Sequence, residues 1–238
     1  MPHLSRLAVA NNRDEVRVQL IRAIKLVGVI TIPSAVAFLF FGPLITEVIF
    51  IGIPIEDSRY IGYVLAALSF GLVAFSINLI LIRGFNVFED TRTQVISITI
   101  INLISVGFSY LFLNLLKTQW VTIGLGVAFS ISYLVGLFIT LLLLKKHTGA
   151  IRVMEFLGQH LRLLGAAVGV MAPLFALTQY ITWVGVELTP IARAGELFVV
   201  MLTAFFGYLV AGKAAGVEEI SMIGHLRDSV VRPSKKAE

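Results

Sequence analysis

The stretch Arg83-Gly84-Phe85-Asn86-Val87-Phe88-Glu89-Asp90-Thr91-Arg92-Thr93 decides the fold of this chain. It is a short polar hinge between two long apolar runs, at residues 60–82 and 95–116. Each run is long enough to cross a bilayer, since a spanning helix needs about 20 mostly apolar residues. So short a connector predicts that the two helices lie side by side and antiparallel, as a membrane hairpin.

The composition of the chain excludes a water-soluble globular protein. Of its 238 residues, 58% are hydrophobic and only 14% are charged, whereas a soluble domain usually carries about 25% charged residues. We therefore predict an integral membrane protein of the all-α class. The chain has no cysteine, which excludes disulfides and thiolate metal sites. No two of its four histidines have the spacing of metal ligands, so we expect neither a metal nor a cofactor.

Apolar runs of spanning length recur along the chain and predict a bundle of six transmembrane helices. Their expected ranges are 24–41, 60–82, 95–116, 122–144, 161–183 and 191–211. We expect Gly42-Pro43 to end the first span and residues 44–51 to form a separate short helix, because proline interrupts helices. The predicted domains are a cytoplasmic interfacial segment at 1–23, four spans in 24–144, a cytoplasmic interfacial loop at 145–160, two further spans in 161–212 and a cytoplasmic tail at 213–238.

The basic residues are distributed unevenly between the two ends of the predicted spans. Six spans place both termini on one side, together with the hinge and the stretch at 145–162. That side carries 16 of the 19 Lys and Arg residues, and cytoplasmic loops are enriched in these residues. We therefore predict that both termini are cytoplasmic. The chain has a net charge of +5. Because its cations flank the apolar runs, we expect them to contact lipid headgroups and not nucleic acid.

Charged side chains are missing from the interiors of most predicted spans. The ranges 26–46, 60–82, 95–116 and 163–186 contain no Asp, Glu, Lys, Arg or His. An intramembrane protease needs paired Asp, or Ser with His, and a proton pump needs a relay of carboxylates. We therefore predict that the chain is not an enzyme and has no catalytic residue.

Three polar residues are candidates for the side of the bundle that faces a headgroup: Arg83, Asn78 and Asn102. We expect Asn102 to point inward, either to a hydrogen bond with another helix or to a cavity or ion. Arg83 has two interpretations as well. It reaches back to the cytoplasmic interface, or it meets an anionic headgroup at the mouth of a cavity.

Small residues mark one face of each of the last two spans. Gly165 and Gly169 form a GxxxG pattern that continues to Pro173, and Ala204 and Gly207 form a similar seam in the sixth span. One interpretation is that these faces pack the two spans closely together. The other is that they line a groove between the spans that admits a lipid tail.

Five short motifs occur in one order along the chain: Pro2-His3-Leu4-Ser5-Arg6, Ile32-Pro33-Ser34-Ala35-Val36-Ala37, Gly42-Pro43-Leu44-Ile45, Arg83-Gly84-Phe85 and Asp90-Thr91-Arg92-Thr93. This ordered set resembles the C-terminal half of the MurJ/MviN family, the lipid II flippases of bacterial peptidoglycan synthesis, within the multidrug/oligosaccharidyl-lipid/polysaccharide exporter superfamily. The resemblance reaches to about residue 213. In the family's hinge, tyrosine and proline commonly stand where this chain has Asn86 and Gln94.

The resemblance implies an architecture and a function. Members of the family have fourteen spans, and this chain corresponds to the last six: four that complete the second lobe and two extra C-terminal helices that are thought to form a groove for the polyprenyl tail. The resemblance places the cations that hold the headgroup mainly in the spans before these six. It implies that the chain is an incomplete part of a flippase that moves lipid II, or a related polyprenyl-linked precursor, by alternating access in the bacterial cytoplasmic membrane.

Membrane lipids are expected partners from the position of the cations. The resemblance adds the missing N-terminal half or cell-wall synthesis proteins. Two alternatives stay open at this point. One is a polysaccharide or drug exporter of the same superfamily, and the other is a non-transporting membrane scaffold for cell-wall enzymes.

Overall fold

The structure is a computed structural model that describes residues 13–184, 189–217 and 219. It contains six helices: α1 Arg13–Ile49, α2 Ile55–Val87, α3 Thr91–Leu115, α4 Thr118–Thr148, α5 Met154–Trp183 and α6 Pro190–Ala214. All six are long and apolar enough to cross a membrane, which confirms the predicted all-α membrane bundle. The motif at 2–6 and almost all of the predicted tail lie outside the described residues.

Helix α1 lies at the centre of the bundle. It packs against α2 on one side and against α5 and α6 on the other, while α2 packs on α4 and α4 packs on α3. Across the bundle the order is therefore α3, α4, α2, α1, α5, α6, which differs from the order along the chain. We call the end where α2 meets α3 and α4 meets α5 the hinge end, and the other end the opposite end.

The predicted packing of α2 along α3 is wrong, because α4 lies between them. Small residues let α4 approach α2 closely. A Cβ added to Gly71 of α2 would lie 2.6 Å from the Cα of Ser130, and the Ser130 hydroxyl donates to the carbonyl of Ala67 at 2.7 Å. Helix α3 is left with α4 as its main neighbour, and only 11% of its apolar window is buried.

The predicted end of the first span at Gly42-Pro43 is also wrong, since α1 runs without interruption from Arg13 to Ile49 and contains Pro33 and Pro43. Contacts with α2 hold its last turns in place. A Cβ on Gly42 would lie 2.6 Å from the carbonyl oxygen of Gly62, so the two backbones touch there. Membrane helices tolerate internal proline where neighbouring helices support them.

Two groups of buried apolar side chains hold the bundle together. The first joins α1, α2, α4 and α5 towards the hinge end, and its members include Leu20, Leu81, Phe85 and Leu144. The second joins α1, α5 and α6, and Tyr208 belongs to it. The Tyr208 hydroxyl donates to the carbonyl oxygen of Val29 at 2.8 Å. Helix α1 contributes to both groups, so it connects the two halves of the bundle.

Candidate functional site

The hinge is shorter than the sequence predicts. Helix α2 extends to Val87 and α3 begins at Thr91, so the non-helical connection comprises Phe88, Glu89 and Asp90. Glu89 has a φ of 55°, in the left-handed region that costs an L-residue about 1 kcal/mol or more. A conformation of this kind persists where surrounding contacts determine it.

Asp90 organises those contacts. It is the N-cap of α3, and its Oδ1 accepts a hydrogen bond from the N–H of Thr93 at 3.0 Å. Its Oδ2 accepts from the Thr93 hydroxyl at 2.6 Å, from Lys146 Nζ at 2.6 Å and from His147 Nε2 at 2.7 Å. Lys146 also donates to the Thr93 hydroxyl at 2.8 Å. The carboxylate therefore joins the start of α3 to the end of α4.

The electrostatics of this arrangement favour the ionised carboxylate. The Lys146 ammonium, followed by the hydroxyl and N–H of Thr93 and by His147, holds the pKa of Asp90 far below its usual value. The Phe88 ring stacks on the His147 ring with centroids 5.1 Å apart and planes 15° apart. We call Phe88, Asp90, Thr93, Lys146 and His147 the hinge cluster.

The other members of the family hinge motif have packing roles or face outward. Phe85 is fully buried. A Cβ on Gly84 would lie 3.1 Å from the Leu20 side chain and 3.2 Å from the Leu144 side chain, so glycine allows α2 to pack closely against α1 and α4. Thr91 and Arg92 are exposed.

The three candidates for the headgroup side do not come together. Arg83 is exposed at the hinge end, and Asn102 is exposed on α3. One of the two expectations for Asn102 was a hydrogen bond with another helix. The Asn102 side chain forms no such bond with any described residue. Asn78 is fully buried and is shielded from any headgroup in this conformation.

Asn78 belongs to a buried polar network across three helices. Its amide donates to the carbonyl oxygens of Ala74 at 3.1 Å and Tyr133 at 3.2 Å. Its Oδ1 accepts from the hydroxyl of Thr140 on α4 at 2.8 Å. Because Thr140 uses its proton there, Ser97 on α3 donates to the Thr140 oxygen, at 2.9 Å.

Four residues of the hinge cluster and the buried network were not predicted from the sequence: Lys146, His147, Ser97 and Thr140. Spacing could have identified one of them, because Thr93, Ser97 and Ile101 recur every four residues and are the buried residues of α3. For Lys146 and His147 no sequence signal exists, since they lie more than fifty positions from Asp90 and meet it through the packing of α3 on α4.

The small residues of the last two helices divide into two groups. On α6, Ala204 is buried, and a Cβ on Gly207 would lie 2.7 Å from the Val170 side chain, so this seam packs closely on α5. On α5, Gly165 and Gly169 face outward, and a Cβ on either would meet no described atom within 4 Å. The α6 residues of the seam are therefore packed, and the two α5 glycines are open to the outside of the bundle. Pro173 is exposed as well.

An apolar cleft of about 430 Å³ lies beside this seam, between α1, α5 and α6. Pro33, Met171, Ala204 and Tyr208 are among the residues that line it. Within the described ranges, no three His, Cys, Asp or Glu side chains gather in a way that could hold a metal ion.

Comparison with known families identifies the chain. Residues 1–193 match the family described as Lipid II flippase MurJ. The match contains α1 to α5 and the hinge cluster complete, and it ends in the first turn of α6. No curated protein matches the chain.

Proposed function

The chain belongs to the lipid II flippase MurJ family, and we propose that its six helices take part in moving lipid II across the bacterial cytoplasmic membrane. The observation that carries this proposal is the family match over residues 1–193. Lipid II is a polyprenyl-linked precursor of peptidoglycan, so this activity belongs to cell-wall synthesis. Movement between leaflets makes and breaks no covalent bond, and the residues involved need only bind, orient and release the lipid.

The proposed mechanism is alternating access, in which one body of helices rocks against another around a central site. The hinge cluster supports a role for α3 and α4 as one rigid unit during that motion. Asp90 contacts Thr93, Lys146 and His147 simultaneously, and the Ser97–Thr140 bond joins the same two helices deeper in the bundle. Both links are short and polar, so they resist separation of α3 from α4.

We propose that the open face of α3 packs against further helices of the flippase. Leu103, Val106 and Tyr110 on α3 are each more than 60% exposed, and the exposed Asn102 adjoins them. A polar side chain in a span is costly unless it meets a partner or a wet cavity. Asn102 is therefore the proposed contact with the central cavity. Because the ranges 26–46, 60–82, 95–116 and 163–186 contain no charged residue, the cations that hold the pyrophosphate are proposed to come from other helices.

We also propose an orientation for the bundle. The hinge end carries Arg83, Arg92, Lys145 and Lys146, whereas the described cations of the opposite end are Arg59, Lys117 and Arg193. The excess of cations supports a cytoplasmic location for the hinge end. Arg83 is exposed there, which fits a contact with the phosphates of lipid II as they enter.

The cleft between α1, α5 and α6 is the proposed site of the polyprenyl tail. It is almost wholly apolar and about 430 Å³ in volume, and Ala204 forms part of its wall. The open face of α5 at Gly165, Gly169 and Pro173 offers the tail an adjoining smooth surface, because no side chain projects from the two glycines.

The experiment that tests the proposal is complementation in bacteria depleted of their own lipid II flippase. The chain is expressed alone, or together with the first eight helices of a fourteen-helix family member. Lipid II that reaches the outer leaflet is measured with an external enzyme that cleaves it. We expect flipping with both polypeptides and none with the chain alone.

Each other result contradicts a defined part of the proposal. Flipping by the chain alone contradicts the proposed need for further helices. No flipping by the pair, although both are inserted and co-purify, contradicts the flippase function and leaves the scaffold alternative. Export of a lipid-linked polysaccharide or a drug by the pair, without lipid II, favours the alternative exporter.

A further inference from the structure

A second cavity lies at the opposite end of the bundle, between α1, α2, α5 and α6. Its volume is about 320 Å³, at the lower end of the range for small-molecule sites. Its lining has an apolar part and a polar part. The apolar part is an aromatic floor formed by Phe40, Phe41 and Phe175. The polar rim is formed by Glu47, Arg59, Tyr63, Thr178, Gln179, Thr182 and Arg193.

The two arginines on the rim have hydrogen-bond donors to spare. Arg59 uses Nε on Glu47 at 2.5 Å, and its side chain is 40% exposed. Arg193 uses one terminal nitrogen on Glu196 at 3.1 Å. A guanidinium has five N–H donors in a rigid fork, so most of the donors of both residues remain for a ligand. Each arginine is paired with one carboxylate, Glu47 or Glu196, so the rim offers a ligand free guanidinium donors and no excess charge.

The rim is held in place before any ligand arrives. Thr46 on α1 donates to the carbonyl of Ser58 on α2 at 2.7 Å, and Ser58 donates back to the carbonyl of Thr46 at 3.2 Å. Glu47 and Arg59 are the next residues along the chain. The reciprocal bonds therefore fix the ion pair, and a preorganised site binds with less loss of conformational entropy.

The aromatic floor is ordered as well. The Phe40 and Phe175 rings stack with centroids 5.4 Å apart, and Phe41 meets Phe175 edge to face at 6.1 Å. The floor lies deeper in the spans than the arginines, because Arg59 and Arg193 are in the first turns of α2 and α6. The apolar rings lie deeper in the membrane, where acyl chains lie, and the guanidinium groups lie at the depth of lipid headgroups. The two parts of the cavity therefore match the two parts of a lipid.

We propose that this cavity binds the phosphate headgroup of a membrane phospholipid, with Arg59 and Arg193 as donors to the phosphate and the Phe40–Phe175 floor under the acyl chains. Guanidinium groups suit phosphate because they can donate two parallel hydrogen bonds to it. The small volume favours a phospholipid over a headgroup that carries sugars and a peptide. The site is separate from the hinge cluster and from the apolar cleft, and it does not depend on the proposed flipping activity.

The test uses the purified full chain in detergent with added dioleoylphosphatidylglycerol, and it counts retained lipids by native mass spectrometry during a titration. The first variant is the double substitution Glu47→Gln with Arg59→Gln, which removes the charges as a pair and keeps a hydrogen bond possible. The second is Arg193→Lys, which keeps the charge and removes the fork. Lys117→Gln is the matched control, because it removes an exposed cation at the same end but outside the cavity.

We expect one retained phospholipid whose affinity falls about tenfold or more in each cavity variant, since each removes hydrogen bonds between charged groups. Lys117→Gln should bind as the wild type does. Circular dichroism shows whether each variant remains helical, and only helical variants are compared.

Unchanged retention in both cavity variants overturns the proposal, and so does equal retention of dioleoylglycerol, which lacks the phosphate. Displacement of the phospholipid by millimolar inorganic phosphate shows that the site binds free phosphate and overturns the assignment to a lipid. Preferential retention of a polyprenyl phosphate at equal concentration overturns the choice of a phospholipid.

Discussion

The carboxylate of Asp90 and the ammonium of Lys146 lie 2.6 Å apart and join the first turn of α3 to the last turn of α4. Asp90 thereby has two functions, since the same side chain caps α3 through the N–H of Thr93. The two helices are also joined by the hydroxyls of Ser97 and Thr140, 2.9 Å apart. The hinge between α2 and α3 is therefore also the point at which α3 is joined to α4.

The direction of the Asp90 pKa predicts a pH dependence of stability. A carboxyl group whose pKa is lowered in the folded protein stabilises it above the ordinary pKa, here 3.8, and loses that contribution as the pH falls through the folded pKa. Asp90→Asn should therefore lower the thermal midpoint by a constant amount from pH 8 down to about pH 5, and the difference should shrink only in stronger acid.

This comparison is made in a His147→Gln background, so that Asp90 is the one carboxyl or imidazole group in the hinge cluster. The measurement is thermal unfolding in detergent. Glu89→Gln, which removes the neighbouring carboxylate, is the control. A difference that stays constant in stronger acid as well would show that the pKa of Asp90 is not lowered.

Removal of the Thr140 hydroxyl tests the buried polar network. Thr140→Val keeps the shape of the side chain but leaves Asn78 Oδ1 without its donor, which should cost about 1 kcal/mol. Together with Ser97→Ala, it should show a coupling energy, because the two hydroxyls contact each other. Thr99→Val, on the exposed face of α3, should change stability little. Additive effects of the two substitutions would contradict the network.

The crossing of α1 and α2 should not tolerate a methyl group. A Cβ on Gly62 would lie 2.4 Å from backbone atoms of Pro43, and overpacking of this kind costs about 1–3 kcal/mol. Gly62→Ala should lower the thermal midpoint, whereas Gly165→Ala should leave it unchanged or raise it slightly, since a Cβ there meets no described atom. Equal losses in both variants would mean that Gly165 is packed.

The proposed orientation can be tested by labelling single introduced cysteines, because the chain has no cysteine of its own. Arg92→Cys places a thiol at the hinge end, and Lys117→Cys places one at the opposite end. A membrane-impermeant thiol reagent added to intact bacterial cells whose outer membrane admits it should label Lys117→Cys alone. A permeant reagent should label both variants. Labelling of Arg92→Cys by the impermeant reagent would reverse the orientation.

Features that depend on local sequence could be predicted, whereas features that depend on contacts between helices could not. The six spans were predictable because apolar length alone decides whether a helix can cross a bilayer. The end of α1 was not, since Gly42-Pro43 breaks a helix by local rules but is supported here by contact with Gly62 on α2. Asn102 was expected to face inward because a polar side chain in contact with lipid is costly, but the packing of α3 on α4 leaves it exposed.

By itself, the sequence determined the membrane class, the number of helices and the family, because these depend on composition, on apolar length and on ordered local motifs. The tertiary structure alone decided that α4 separates α2 from α3, that Asp90 meets Lys146 and His147, and that Gly207 is packed while Gly165 is open. The physical reason is that hydropathy shows which segments enter the membrane but is nearly the same on every side of such a helix. Which sides meet is decided by the fit of small residues and polar groups on helices far apart in the chain.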